Sequence, residues 1–256
     1  MKVIILAGGF GSRLGNLTES VPKPMLRVGE KPILWHIMKI YDSFGFNDFI
    51  VNLGYKSEII KHYFASYHFY QSDFLIHTKN NTVEFLDKKE IEDWNVALID
   101  TGLNTLKGAR LKRIEKYLDD INMLTYGDGV ADINISDLVE FHKKHGKMVT
   151  ISGVNPPARF GELIEENNLL VSFHEKPQIS KGLINGGFMV FNKTLSDYLT
   201  EDELCDLESG VLENLAKAGE VMIYKHSGHW ACVDTERELQ YLNELWNKNK
   251  AFWKVW

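Results

Sequence analysis

At 256 residues the chain has room for one large α/β domain spanning 1–256, with a sizeable core, and two independent domains are not expected. Its 29 Lys and Arg against 35 Asp and Glu leave a net charge of −6, which argues against a broad nucleic-acid or anionic-membrane surface, so any cations that matter act locally. Only Cys205 and Cys232 occur, outside any C-x-x-C pair, so a disulfide framework is not expected and a reducing, cytoplasmic setting is the default.

Val3–Leu6 reads as a buried first strand. The apolar run that contains it, Val3 to Ala7, is too short for a signal-peptide core or a membrane span, and Gly8-Gly9 ends it. Pro32 opens a segment from Ile33 to Tyr41 with apolar positions at helical spacing and Gly45 beyond it. Asp48–Leu53 predicts a second strand and Lys56–Phe64 the helix after it. From about Phe74 to Leu98 the pattern shifts to short alternating segments with polar breaks, which predicts antiparallel strands or an inserted hairpin. Ile121–Tyr126 is again a buried strand, ending in Gly127-Asp128-Gly129, and Ile135–His145 is helical. Met148–Gly153, Leu169–His174 and Leu183–Val190 are strand candidates, divided by Pro156-Pro157, Asn167-Asn168 and Gly182. A helix around Glu208–Ala218, a strand at Val221–Tyr224 and a helix from Thr235 to Asn247 follow. β-Branched runs alternating with helical patterns predict an α/β fold: a Rossmann-like, mostly parallel mixed sheet flanked by helices, with a small antiparallel insertion. The segment from Trp246 to Trp256 is rich in aromatic residues. It must pack on the parent domain or on another subunit, and it points to a homo-oligomer.

The most informative stretch is Leu6-Ala7-Gly8-Gly9-Phe10-Gly11-Ser12-Arg13-Leu14-Gly15, followed by Pro22-Lys23-Pro24-Met25. A buried strand that feeds a loop without Cβ bulk lets backbone N–H groups close on phosphate oxygens, and Arg13 and Lys23 supply cations for a triphosphate. A dinucleotide-binding fingerprint is excluded by the spacing of Gly9, Gly11 and Gly15 and by Asn52-Leu53-Gly54 at the end of the second strand. A kinase-type P-loop needs Lys-Ser/Thr after its glycines, where this chain has Ser12-Arg13. A plain tight turn is the bland alternative.

Together with Gly29-x-Lys31-Pro32, this stretch resembles the signature of the sugar-phosphate nucleotidyltransferases. The likeness extends through Trp35-His36-Ile37-Met38, Trp94-Asn95-Val96, Asp100-Thr101-Gly102, Arg110-Leu111-Lys112-Arg113, Tyr126-Gly127-Asp128-Gly129, Arg159-Phe160-Gly161, Glu175-Lys176-Pro177, Asn185-Gly186-Gly187-Phe188 and Asp234-Thr235. These segments fall in the order seen in the glucose-1-phosphate cytidylyltransferases of that family.

The resemblance implies a nucleotidyltransferase fold and CMP transfer from CTP to a phosphorylated acceptor, glucose 1-phosphate being the nearest family answer. It implies a nucleotide site at Leu6, Ala7, Gly8, Gly9, Gly11, Ser12, Arg13, Lys23, Thr101, Gly102, Arg110, Gly127 and Asp128. The acceptor site would comprise Tyr126, Glu175, Lys176, Asn185, Gly186 and Gly187, with Arg13, Lys23 and Lys176 carrying the catalysis. Mg²⁺ would be held by Asp128 and Asp234, as suits a cation bound by one or two carboxylates plus phosphate oxygens. No nucleic-acid or membrane partner is implied. The uridylyl-type Gln-x-x-Pro-x-Gly tract is missing near Ala97 to Gly102, which favours CTP.

Each residue also has a plainer reading. Asp128 could serve a turn, Asp234 could be a helix N-cap, Lys176 could be solvated, and Arg110 to Arg113 could be a basic strand edge. His36, Trp35 and Met38 lie on a helical stripe and read as core, the nine His show no metal-ligand spacing, and neither Cys has a paired base. The acceptor is open to a non-sugar phosphate, because His229-Trp230-Ala231-Cys232-Val233 and Leu207-Glu208-Ser209-Gly210-Val211 depart from the family pattern. A non-catalytic nucleotide-binding regulator would tend to lose the cations and carboxylates, all of which are present. A related glycosyltransferase would want Asp-x-Asp, which Asp128-Gly129-Val130 does not supply.

Overall fold

The computed structural model describes residues 1–86, 91–156, 162–166, 169–174 and 182–256. The framework comprises β1 (Val3–Leu6), α1 (Ile33–Asp42), β2 (Asp48–Leu53), α2 (Ser57–Ala65), β3 (Asn95–Asp100), α3 (Lys107–Lys112) and β4 (Ile121–Tyr126). It continues through β5 (Gly129–Ala131), α4 (Ile135–His145), β6 (Val149–Val154), β7 (Ile184–Asn192), β8 (Val221–His226), β9 (Trp230–Cys232) and α5 (Glu236–Asn247).

Seven strands form one sheet in the order β8-β6-β7-β4-β1-β2-β3. All run parallel except β7, which pairs antiparallel with both β4 and β6. β1 lies near the middle with every residue buried, as its unbroken apolar run requires of a strand covered on both faces. One core cluster packs α1, α4 and α5 against one face, and a second packs α3 and the Leu195–Leu215 region against the other. Among the described residues no helix is long and apolar enough to cross a membrane.

Several expectations change. Phe74–His77 and Thr82–Phe85 form the antiparallel insertion, but Asn95–Asp100 is the parallel edge strand of the main sheet rather than part of it. Arg110, Leu111 and Lys112 belong to a helix and not to a strand edge. The helix expected at Glu208–Ala218 is broken: Ser209 (ψ 113) and Gly210 (φ 98) are non-helical, and regular helix covers only Glu213–Lys217. Apolar spacing could not reveal that break, because Leu207, Leu212 and Leu215 are buried on both sides of it. Leu169–His174 pairs antiparallel with Glu162–Glu166, and the turn at Asn167-Asn168 lies outside the described residues.

α5 starts from a capping box, in which the Thr235 hydroxyl accepts from the Glu238 N–H while the Glu238 carboxylate accepts from the Thr235 and Asp234 N–H groups at 2.8 and 2.7 Å. Thr235 therefore takes the N-cap role considered for Asp234, whose side chain is left free for the cleft. After α5 the aromatic tail folds back onto α1. Trp246, Trp253 and Trp256 surround His36 with ring centroids 4.7, 6.1 and 6.3 Å away, and Trp253 is fully buried. Trp253 Nε1 donates to His36 Nδ1 at 3.3 Å, so the opposite nitrogen carries the proton and donates to the Val28 carbonyl at 2.8 Å. Gly29 makes room: it sits at φ 62, and a Cβ there would lie 2.3 Å from Trp246 Nε1. The tail thus packs on the parent domain, the first of the two partners that its composition allowed.

Candidate active site

The chain leaves β1 towards β2 and β3 on one side and resumes at β4 on the other, so a crevice opens at the carboxyl ends of β1 and β4. Ligands of open α/β sheets bind at such a reversal. Here it is a cleft of about 560 Å³, lined by Leu6 to Arg13, Lys23, Pro24, Leu103 to Lys107, Arg110, Tyr126, Gly127, Asp128, Asn185, Trp230, Cys232 and Asp234.

The glycine loop is held from beneath by Arg110. This guanidinium is 4 % exposed and donates from Nη1 to Leu53 O, Thr101 Oγ1 and Gly102 O at 2.9, 2.8 and 2.8 Å, and from Nη2 to Gly8 O and Leu103 O at 3.0 and 3.2 Å. A Cβ on Gly8 would lie 2.2 Å from Arg110 Nη1, so only glycine lets the loop rest on it. Gly11 turns the loop at φ 66. Arg110 therefore reaches the cleft with its donors directed at four carbonyls and the Thr101 hydroxyl. The Thr101 hydroxyl faces inward, donating to Leu53 O at 2.8 Å, and neither Thr101 nor Gly102 lines the cleft. Arg113 secures the neighbouring connection between β3 and α3 through Thr101 O and Thr105 Oγ1 at 2.7 and 2.9 Å.

At the loop's open end lie the two carboxylates. Lys23 Nζ donates to Asp128 Oδ2 and to Asp234 Oδ1, both at 2.6 Å, and Arg13 Nη1 donates to Asp234 Oδ2 at 2.8 Å. Burial alone would lower the Lys23 ammonium, but the two carboxylates outweigh it and hold its pKa above the ordinary lysine value. Burial would raise Asp234, yet Lys23 and Arg13 hold it below the usual carboxylate range. Residues 105 and 211 positions apart from Lys23 in sequence thus share one ammonium. Beside them, burial and then the charges of Asp128 and Asp234 push the Cys232 thiol up to about 12, leaving it a poor nucleophile. Among the described residues no group of three or more His, Cys, Asp or Glu is arranged to hold a metal ion.

The far end of the cleft is built from β4, β7 and β9. Asn185 Nδ2 donates to the Tyr126 hydroxyl at 3.1 Å, and Trp230 Nε1 donates to Gly186 O at 2.7 Å. Gly187 has φ 80, and a Cβ there would lie 2.8 Å from the Tyr126 ring. Gly186 and Gly187 shape this end without lining it. Glu175 and Lys176 lie outside the described residues, as does Arg159-Phe160-Gly161.

The family model described as Nucleotidyl transferase matches residues 2–241. The chain belongs to that family. Among its relatives, glucose-1-phosphate cytidylyltransferase of Salmonella typhi is 46% identical over 258 residues, covering 100% of both chains. The protein of the same description from Salmonella typhimurium is likewise 46% identical with full coverage of both. In fold, this nucleotidyltransferase matches the crystal structure of HddC from Yersinia pseudotuberculosis with a TM-score of 0.69 at 22% identity, covering 96% of this chain and 99% of that one.

Sequence reasoning missed Lys107, Trp230, Cys232 and the Leu103–Leu106 wall as cleft residues. Trp230 and Cys232 alternate with Ala231 and Val233, which are buried, and that period of two is the signal that could have separated the wall from the core. Lys107 carried no signal, since its helix was not expected.

Proposed function

We propose that this nucleotidyltransferase transfers CMP from CTP to the phosphate of glucose 1-phosphate, releasing pyrophosphate and giving CDP-glucose. The observation that carries the reading is the convergence of Lys23 and Arg13 on Asp128 and Asp234 at the open end of the glycine loop. Full-length similarity to glucose-1-phosphate cytidylyltransferases supports the choice of base and acceptor. Of the residues that depart from the family pattern, only Trp230 and Cys232 line the cleft, while Ser209, Gly210 and Val211 face a separate depression. The full-length relatives are what favour the sugar phosphate over a non-sugar one.

The reaction asks for geometry and charge. The acceptor phosphate is mostly dianionic near pH 7, its second pKa being about 6, so it attacks the α-phosphorus in line without a general base. The loop N–H groups of Gly8 to Ser12 cradle the triphosphate. Asp128 and Asp234 would hold Mg²⁺, because two hard carboxylates converging on one cation suit an ion that completes its shell with substrate phosphates rather than with an all-protein cage. When bound, the ion neutralises charge on the phosphates. In that arrangement Lys23 and Arg13 exchange carboxylate for phosphate oxygens and stabilise charge moving onto pyrophosphate. Arg110 positions the loop, Tyr126 and Asn185 face the acceptor, and Lys176 takes the acceptor phosphate. Two free cysteines and the absence of a spanning helix among the described residues fit a reducing cytoplasm.

Calorimetry across CTP, UTP, dTTP and ATP with Mg²⁺ is expected to show preference for CTP, and pyrophosphate release is expected with glucose 1-phosphate. A clear preference for UTP or dTTP would overturn the base assignment, and an inert glucose 1-phosphate would overturn the acceptor.

We also propose that the chain is a homo-oligomer, supported by the apolar groups left exposed around the inserted hairpin: Phe69, Leu75, Ile76 and Phe85 are each at least 41 % exposed. Sedimentation at micromolar concentration is expected to show an oligomer that the Leu75→Ser, Ile76→Ser double variant weakens. A monodisperse monomer would refute it.

A further inference from the structure

Behind the far end of the cleft, several elements converge on one carboxylate. Asp206 caps the Leu207 and Ser209 N–H groups at 3.0 and 3.2 Å, and Gly210 at φ 98 turns the chain. Glu208, between them, is thereby aimed at the back of Tyr126. Its Oε1 accepts from the Tyr126 hydroxyl and from Lys107 Nζ, the latter at 2.5 Å. With its O–H donated to Glu208, the phenol oxygen accepts from Asn185 Nδ2 at 3.1 Å, and Asn185 Oδ1 accepts from the Gly187 N–H at 2.9 Å. The run of hydrogen bonds has one direction, so the Asn185 amide and the Tyr126 hydroxyl each have a single orientation. Burial, and then the charge and hydrogen bond of Glu208, hold the Tyr126 phenol well above the ordinary tyrosine value, so it stays a donor.

Lys107, Tyr126 and Asn185 line the cleft, whereas Glu208 does not. The Lys107 ammonium also lies 5.2 Å from the Tyr126 ring centroid. Glu208 Oε2 is buried with no hydrogen-bond partner among the described residues. A half-satisfied carboxylate costs stability. What Oε1 holds in place is the Tyr126 hydroxyl and the Lys107 ammonium.

We infer that Glu208 is the positioning residue of the acceptor end and that Lys107, fixed by it, is a further acceptor-binding cation for a polyhydroxylated phosphate ester. The inference rests on the acceptor reading given above. Lys107 supplies three donors, of which Glu208 engages one, and it lines the cleft beside Tyr126, Asn185 and Trp230.

The test compares Glu208→Ala, Glu208→Gln and Lys107→Met with the intact chain. Loss of a charge-assisted hydrogen bond is expected to raise KM for glucose 1-phosphate about tenfold or more in Glu208→Ala and Lys107→Met. Calorimetric affinity for CTP should stay within about twofold, because these groups lie away from the glycine loop. Glu208→Gln should recover part of the loss by accepting the Tyr126 hydrogen bond. A split that a merely structural loss would not produce is the second readout: in Glu208→Ala and Lys107→Met, KM for glucose 1-phosphate should rise while kcat at saturating acceptor stays within about threefold. Equal losses for CTP and acceptor, or an unchanged KM for the acceptor, would overturn the inference. If glucose 1-phosphate is inert with the intact chain, it is the acceptor reading that falls; an active intact chain whose variants keep its KM overturns the inference alone.

Discussion

Asp234→Asn and Asp128→Asn are each expected to lower turnover by orders of magnitude while leaving the fold intact. Each replaces a charged carboxylate by a neutral amide at the place where the proposed function brings a divalent cation and a triphosphate together. A loss of several kcal/mol of transition-state stabilisation, at about 1.4 kcal/mol per factor of ten, sets the scale. The two variants should differ in detail. Asp234 holds both Lys23 and Arg13, so Asp234→Asn releases the guanidinium, which is already largely exposed, as well as half of the Lys23 contact. Asp128 pairs with Lys23 whereas Arg13 pairs with Asp234, so Asp128→Asn should leave Arg13 in place. Initial rates of pyrophosphate release across a Mg²⁺ titration, with circular dichroism as the control for folding, check this. Near-normal activity of both variants at limiting Mg²⁺ would remove the carboxylates from the mechanism.

Trp253→Ala is expected to produce the largest loss of stability of any single tail substitution. Removing a fully buried large aromatic side chain costs about 3–5 kcal/mol, and here it also deprives His36 Nδ1 of its donor. Equilibrium urea unfolding measures the change. The same experiment carries a pH signature. Burial, followed by the Lys31 charge, lowers His36 from 6.5 to about 4. Below pH 6.5 the unfolded chain takes up a proton that the folded chain refuses until about pH 4, so this contribution to stability is complete above 6.5 and is lost as pH falls through that window. Trp253→Ala opens the imidazole to water, and the slope of stability between pH 6.5 and 4 should flatten. An unchanged slope would show that His36 does not govern it.

Much of the fold was legible because its strands are continuous apolar runs ended by glycine, as at Leu6-Ala7-Gly8 and Tyr126-Gly127, and because α1 carries a clear helical stripe. What periodicity could not carry was pairing direction. Asn95–Asp100 alternates in burial because it is an edge strand, which makes a parallel strand look antiparallel. The kink at Ser209-Gly210 escaped for a related reason, since it is set by backbone dihedrals and by the Asp206 cap rather than by hydrophobicity. In the site, Lys23, Asp128 and Asp234 were readable as chemistry from motif and resemblance, but their shared hydrogen bonds join positions far apart in the chain and exist only in three dimensions. Arg110 shows the limit most plainly: a basic residue in a nucleotide-site motif spends its donors on the carbonyls of Gly8, Leu53, Gly102 and Leu103.

The four-membered cluster of Arg13, Lys23, Asp128 and Asp234 has a thermodynamic corollary. Its formal charges sum to zero, so the cleft without ligands already satisfies its own carboxylates, and a lone divalent cation must compete with an ammonium for both of them. Nucleotide phosphates that draw the ammonium away vacate that place. Affinity for cation and for nucleotide are then linked, and by reciprocity each must strengthen the other by the same factor. Deleting the ammonium itself, as in Lys23→Ala, unlinks them in a counterintuitive direction: the bare site binds the cation more tightly and the nucleotide less.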